Sequence, residues 1–445
     1  MTNENIAAIS TGLATGGVAV IRISGDSPLT VAKKVFVPNG KTLVENFSPN
    51  RMYVGEVLAD GFTDYGMCVY FKAPFSFTGE DVVELHIHGG IAITKGVLSA
   101  VLKAGARLAT NGEFTKRAFL NGKLSLSSAE GLIDMINSES ASGVRAGYYL
   151  YRENLVNKVK QIQDLLLDAL SEIDVDVDFP EEDLTEVSLA NVERLTKSAK
   201  EQIDLLLSTY RKGRVLKDGV KVGIVGKPNT GKSSTLNALL NYEKAIVSDL
   251  AGTTRDVVEG CLDINGVRFY LSDTAGIRNT GDKIEELGVN LSKRIADQSD
   301  LVLFIVDAND VTQEDELIYN QIKDKNHLFV VNKIDKNNFK DDRAHVYLSA
   351  LTKNGIEQLK QAVYSKTVED GIDLNGDFLC EERHHQALSR ASEKLGNAIV
   401  AMGNVPLDLL AIDLKEGWDA LGEISGKTAT EEIINNIFSK FCVGK

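Results

Sequence analysis

The chain has 445 residues, 43% hydrophobic and 25% charged, and its 49 Lys and Arg against 63 Asp and Glu give a formal net charge of −14. That length exceeds one core and predicts about three domains at roughly 150 residues each, while the acidic balance excludes a protein that grips nucleic acid over a broad basic surface. The longest apolar run, Leu301 to Val306, is too short to cross a bilayer, the first residues lack secretory features, and the four cysteines form no Cys-x-x-Cys pair, so a cytoplasmic chain with no membrane span is expected.

In chain order, residues 1–118 mix short alternating apolar runs with glycine turns, as at Val18 to Ile23 and Val82 to His88, and predict an α+β domain. Glu84, His86 and His88 alternate along one face of the second run. His-x-His with a carboxylate is a metal-ligand set, but no further ligand group accompanies it, and a ligand-lined or subunit-contact face is the favoured reading. Lys116, Arg117, Lys123, Arg145, Arg152, Lys158 and Lys160 form a basic stretch, read first as a solvated face and second as a local RNA contact. Residues 119–212 predict helix. Leu155, Val159, Ile162, Leu166, Leu170 and Ile173 mark one long amphipathic helix, Asp174 to Pro180 breaks it, and Val192, Leu195, Ala199, Ile203, Leu206 and Tyr210 mark a second.

Over 216–368 apolar strands alternate with helical segments, at Val222 to Val225, Phe269 to Leu271, Leu301 to Val306, Leu328 to Val331 and Val346 to Leu348. This predicts a mainly parallel α/β sheet covered on both faces. Over 371–445 helical stripes return, at Ala387, Leu388, Ala391, Leu395 and Ile399, then at Ile433, Ile434, Ile437, Phe438 and Phe441. The expected fold is therefore multidomain: an α+β domain, an α-helical bundle built from two segments (119–212 and 371–445), and an α/β domain inserted between them. Two separate helical domains are the alternative.

The strand Val222 to Val225 runs into Gly226-Lys-Pro-Asn-Thr-Gly-Lys-Ser233 and then a helical stretch, which is a P-loop in its required setting. Converging N–H groups of Asn229, Thr230, Gly231, Lys232, Ser233 and Ser234 suit phosphates, Lys232 reaches the β and γ oxygens, and the Ser233 hydroxyl suits Mg2+. Asp273, Thr274, Ala275 and Gly276 follow a strand, where the carboxylate can hold an Mg2+-bound water and the Gly276 N–H can sense a γ-phosphate. Asn332, Lys333 and Asp335 follow another. A carboxylate at Asp335 accepts from guanine N1–H and the 2-amino group together, whereas adenine leaves it unpaired. Ser349 and Ala350 supply the backbone amide expected near guanine O6, so the motifs select GTP over ATP. The loop Ala251 to Asp256 occupies the switch I position, with Thr254 as the Mg2+ ligand when GTP is bound, and Ser248, Asp249, Leu250, Ala251, Gly252, Thr253 and Thr254 are candidate GTP contacts. Arg255, followed by Asp256, reads as a surface ion pair ahead of an arginine finger. Cys442 follows the last helical stripe with no base beside it, so a packing or accessory role is favoured over a nucleophilic one.

Val18 to Gly25, Thr78 to Leu85 with His88 to Gly90, Gly112 to Leu124, Asp178 to Asp183, Ala251 to Asp256 and Cys442 to Lys445 together resemble the MnmE (TrmE) family of tRNA-modification GTPases over the whole chain. The chain departs from the family pattern in lacking prolines before Gly16-Gly17 and in having Val443 where isoleucine is commoner, neither of which touches a reacting group. The resemblance implies an amino-terminal domain that dimerises and binds a tetrahydrofolate derivative (5,10-methylene or 5-formyl) through Arg22, Glu84, Lys123 and Lys445. It also implies a Ras-like GTPase domain and a heterotetramer with the FAD-dependent protein MnmG, which adds a carboxymethylaminomethyl or aminomethyl group to C5 of the wobble uridine of certain tRNAs. Further implied are K+ held by Asn229, Ser248, Leu250 and Thr253, and a water-orienting carboxylate at Glu285, which spacing alone reads as a solvated helix residue. A signalling or ribosome-assembly switch without modification chemistry is the alternative function.

Overall fold

In the computed structural model of the protein, residues 4–178, 185–240, 260–273, 294–337, 339–368 and 377–444 are described. They pack as two units, one drawn from Met1–Ile133, Leu150–Ala199 and Glu393–Lys445, the other from Asp134–Tyr149 and Lys200–Ser392.

The first unit contains a seven-stranded sheet of β1 (Ile6–Ile9), β2 (Val18–Gly25), β3 (Phe36–Pro38), β4 (Met52–Leu58), β5 (Thr63–Phe71), β6 (Asp81–His88) and β7 (Arg107–Leu108), ordered β3-β4-β5-β6-β2-β1-β7. Neighbours are antiparallel except β1 and β7. Period-two alternation decides the faces. Ala19, Ile21 and Ile23 of β2 and Val83, Leu85 and Ile87 of β6 bury against Val31 and Val35 of the helix Pro28–Val35 and Val97 and Val101 of the helix Ile91–Lys103. The opposite face therefore carries Arg22, Glu84 and His86.

The first long stripe is borne out, but its helix runs through Asp174 to Asp178, beyond the break expected at Asp174. Acidic side chains on an exposed helix face do not end a helix, and the breaking residue in that segment is Pro180. Leu155, Val159, Ile162, Leu166 and Ile173 are buried on the helix Asn154–Asp178. It packs on a helix that the sequence reading did not resolve, Leu407–Ser425, where Gln163 Nε2 donates to the Trp418 carbonyl at 2.9 Å. Leu126 and Ala129 of the helix Leu126–Asn137 share a cluster with Ile437, Phe438 and Phe441. The last helix, Glu431–Ser439, stops short of Phe441. The helix Glu113–Leu120 runs across residue 118. Beyond the last helix the tail docks on the first sheet: Val443 bridges Asn111, and Ser10 Oγ donates to the Gly444 carbonyl at 3.3 Å. Gly444 has φ +103° and a Cβ there would lie 2.0 Å from the Ile9 carbonyl oxygen, so only glycine fits.

The second unit contains a six-stranded sheet of β8 (Val220–Val225), β9 (Gly260–Ile264), β10 (Val267–Asp273), β11 (Leu301–Asp307), β12 (His327–Asn332) and β13 (Val346–Tyr347), ordered β13-β12-β11-β8-β10-β9. All pairs are parallel except β9 with β10, as the alternation of strands and helices predicts. Leu301 to Val306 are at most 1% exposed, which is why β11 reads as an unbroken apolar run rather than an alternating one. The helix Thr185–Ser208 ends before Tyr210, which begins a separate helix, Tyr210–Asp218. Thr209 interrupts the ladder: its hydroxyl donates to the Leu206 carbonyl and accepts from the Leu379 amide at 3.0 Å. Among the described residues no helix is long and apolar enough to cross a membrane.

Candidate functional site

The segments that follow the parallel strands β8, β12 and β13 line one cleft of about 440 Å³, with Gly231, Ser234, Asn237, Asn332, Lys333, Asp335, Lys336, Ala350, Leu351 and Lys353 among its walls. This is where parallel α/β sheets bind ligands, and the volume lies in the range of small-molecule sites. Between β8 and the helix Lys232–Leu240 the loop turns through left-handed backbone at Asn229 (φ +64°) and Gly231 (φ +94°). A Cβ at Gly231 would fall 2.2 Å from Asn332 Nδ2, so a larger residue would fill the cradle. Lys232 is buried, and its ammonium donates to the carbonyls of Gly226 and Lys227, both at 2.8 Å.

The two halves of the site are hydrogen-bonded to each other. Asn332 Nδ2 donates to the Thr230 carbonyl at 2.9 Å, and its Oδ1 accepts from the amides of Lys333 at 2.8 Å and Ala350 at 3.1 Å. Lys333 Nζ donates to the Asn229 carbonyl and to Asp307 Oδ2, each at 2.7 Å. Burial alone would raise the Asp307 carboxyl, but Lys333 and the bonds from Asn309 outweigh it and hold it below the ordinary range. Ser349 Oγ donates to Asp335 Oδ1 at 2.5 Å, leaving the second carboxylate oxygen for a ligand's donors. The sequence reading missed Asp307, whose only signal is its position at the end of β11, and Lys227, whose partners lie more than 80 residues away.

The structure thus brings Asn229, Thr230, Gly231, Lys232, Ser234, Asn332, Lys333, Asp335, Ser349 and Ala350 into one neighbourhood. Ser233 is the second residue of the helix Lys232–Leu240. Asp273 ends β10, paired with Ile224 of β8, and its side chain is not among those described. Ser248, Asp249, Leu250, Ala251, Gly252, Thr253, Thr254, Arg255, Thr274, Ala275, Gly276, Glu285 and Lys445 lie outside the described residues.

A second constellation occupies the open face of the first sheet. Arg22 and Glu84 face each other across β2 and β6, with Nε to Oε1 at 2.8 Å, and His86 Nε2 lies 3.3 Å from Glu84 Oε2. Burial would raise the Glu84 carboxyl, but His86 and Arg22 outweigh it and hold it low. The Arg22 guanidinium lies 5.3 Å from the Phe77 ring centre. Lys123 Nζ donates to the Pro74 carbonyl at 2.9 Å, so Arg22 and Lys123 meet the same loop. His88 turns instead to Asp64, Nδ1 to Oδ1 at 2.7 Å, and among the described residues no three His, Cys, Asp or Glu side chains are grouped to hold a metal. Arg117, read in sequence as part of a solvated basic face, is instead 12% exposed and paired with Glu80 and Glu113, so it is part of the domain's packing. Cys442 is exposed.

Two family models match the chain: the MnmE helical domain over residues 126–442 and the GTP-binding protein TrmE N-terminus over residues 5–123. A tRNA modification GTPase MnmE from Caldicellulosiruptor saccharolyticus is 40% identical over 455 residues, covering 100% of both chains. Another, from Clostridioides difficile, is 37% identical over 456 residues, covering 100% of this chain and 99% of the relative. Among solved structures, the FeoB G-domain from Methanococcus jannaschii is 28% identical with a TM-score of 0.26, covering 33% of this chain and 97% of that one. Era in complex with MgGDPNP and nucleotides of 16S ribosomal RNA is 28% identical with a TM-score of 0.27, covering 42% and 69%.

Proposed function

Since the chain belongs to the MnmE family of tRNA-modification GTPases, we propose that it binds and hydrolyses GTP in the cleft between the P-loop and Asp335, and that this hydrolysis serves the modification of tRNA. The observation that carries the reading is the hydrogen-bonded contact of phosphate loop and base motif, Asn332 to Thr230 and Lys333 to Asn229, around a cleft that ends on the Asp335 carboxylate. In this reading Lys232 exchanges its loop carbonyls for phosphate oxygens, a stronger charge-assisted pairing. Asp335 takes the guanine N1–H and 2-amino group, and Lys333 holds the loop in register with the base. Ser233 and Thr254 would hold Mg2+, which would supply charge neutralisation on the phosphates. K+ would be held by Asn229 with Ser248, Leu250 and Thr253, and Glu285 would orient the attacking water.

The finer chemistry belongs to the same proposal. A tetrahydrofolate derivative, 5,10-methylene or 5-formyl, would occupy the face of Arg22, Glu84 and Lys123, with Lys445 as a further contact. A guanidinium and an ammonium suit the glutamate tail of a folate, and a carboxylate held ionised suits the donors of its pterin ring. The chain would act as a homodimer joined through residues 1–118, with FAD-dependent MnmG, on the wobble uridine of certain tRNAs in the cytoplasm. The proposed divisions are 1–118, 119–212 with 371–445, and the GTPase domain 216–368. Phosphate release from GTP by the purified chain tests the core of the reading: turnover with GTP, none with ATP, and none in Lys232→Ala are expected. Equal turnover of ATP would overturn it.

A further inference from the structure

One P-loop side chain points away from the cleft. Lys227 is 6% exposed, yet it is a lysine in the loop that must shape itself around phosphates. Its ammonium lies 3.0 Å from Asp310 Oδ2, 3.2 Å from Asp315 Oδ2 and 3.2 Å from Thr312 Oγ1, and it donates to the Asp310 carbonyl. Asp315 is 2% exposed and already caps the helix Gln313–Ile322, accepting from the Thr312 amide at 2.8 Å. Its other oxygen, Oδ1, is buried with no hydrogen-bond partner among the described residues, and Lys227 is a cation that balances this buried charge. Burial alone would lower the Lys227 ammonium, but Asp310 and Asp315 outweigh it and keep it charged.

The backbone of the same residue faces the other way. The Lys227 carbonyl accepts from Lys232 Nζ at 2.8 Å and from Thr230 Oγ1 at 3.1 Å. Two residues on, the Asn229 carbonyl is held by Lys333, itself paired with Asp307. The stretch from Asp307, which ends β11, to Asp315 in the helix Gln313–Ile322 thus pins the loop directly at residue 227 and, through Lys333, at residue 229.

We propose that Lys227 is a positioning residue of the nucleotide site, an ionic brace to Asp310 and Asp315 that holds the P-loop in its phosphate-receiving shape through the carbonyl shared with Lys232 and Thr230. This rests on the cleft being the guanine-nucleotide site. It touches no substrate. Its loss lets the loop sample other shapes, so the competent fraction falls and apparent affinity falls with it. The effect concerns diphosphate and triphosphate equally, because both use the same loop.

The test uses the full chain, Mg2+ and fluorescence titration with a labelled GDP, alongside the thermal midpoint. The parent must bind GDP; if it does not, the reading of the cleft fails and not merely the brace. Lys227→Met is expected to bind GDP at least tenfold more weakly, and Lys227→Arg, which keeps the charge, within threefold of the parent. Lys227→Met with Asp315→Asn removes the orphaned buried charge, so it should recover the thermal midpoint while its GDP affinity stays at least tenfold down. Recovery of affinity together with stability would show a merely structural role and overturn the proposal, as would parental affinity in Lys227→Met. Should neither variant fold, Asp310→Asn decides, since the Asp310 side chain is 66% exposed and its amide replacement leaves the buried Asp315 in place: a threefold loss of GDP affinity supports the brace, and an unchanged affinity overturns it.

Discussion

Replacing Asp335 by asparagine should exchange one base for another. In the structure Asp335 Oδ1 accepts from Ser349 Oγ, an arrangement the asparagine carbonyl can keep, so the change falls on the second oxygen, which becomes an NH2 donor. Guanine presents two donors to this carboxylate. The variant loses one charge-assisted bond, about 1.5–3 kcal/mol, and sets donor against donor, about 1–3 kcal/mol more, so GTP and GDP affinity should fall by roughly 10²–10⁴-fold at 1.4 kcal/mol per decade. Xanthine carries a carbonyl where guanine carries the 2-amino group, and the new NH2 can donate to it. Equilibrium titration of parent and Asp335→Asn with GDP and XDP in Mg2+ should therefore show a crossed preference, with the parent favouring GDP and the variant XDP. Less than a fivefold loss of GDP affinity with no gain for XDP would refute Asp335 as the base-reading residue and move the base elsewhere in the cleft.

Three further outcomes are expected. Calorimetry with 5-formyltetrahydrofolate should show binding to the parent and at least tenfold weaker binding to Arg22→Ala and to Lys123→Ala; parental affinity in both would place the folate elsewhere. Turnover should be fast in KCl and slow in NaCl, with K+ stimulation lost in Asn229→Ala and the chemical step crippled at retained GTP affinity in Glu285→Ala; equal rates in the two salts would remove the ion from the mechanism. At Glu113 burial would raise the carboxyl, but Arg107, the Thr110 amide and Arg117 outweigh it and hold it at about 2. A depressed carboxyl stabilises the fold above its ordinary pKa and loses that contribution as pH falls toward 2, here up to about 3 kcal/mol. Urea unfolding of Glu113→Gln should thus be easier than the parent's at pH 7 and match it near pH 2, and a constant gap across that range would count against the ion cluster.

What the sequence displayed and what it concealed divide along local and non-local lines. Leu301 to Val306 is apolar at every position because β11 is buried on both faces, and that signature needs no partner to be read. The P-loop shows itself the same way, through glycine and lysine at fixed offsets between a strand and a helix. The helices Pro28–Val35 and Glu113–Leu120 are eight residues each, too short for a 3.6-residue period to stand out. Leu407–Ser425 is longer, but Gly417 and Gly422 weaken its helical pattern. The Arg22–Glu84 pair depends on the antiparallel register of strands 62 residues apart, and the folate role proposed for it comes only from the family resemblance. Lys227 is the extreme case: adjacent to the most recognisable motif in the chain, it takes its purpose from Asp310 and Asp315, which no local pattern connects to it.

The central claim, that GTP hydrolysis by this chain serves tRNA modification, is tested most directly by mass spectrometry of wobble-uridine nucleosides in bulk tRNA from cells lacking the gene. Complementation with the parent and with Lys232→Ala completes the comparison. The account predicts that the C5-modified uridines disappear on deletion, return with the parent and stay absent with Lys232→Ala. Unchanged nucleosides in the deletion strain would contradict it.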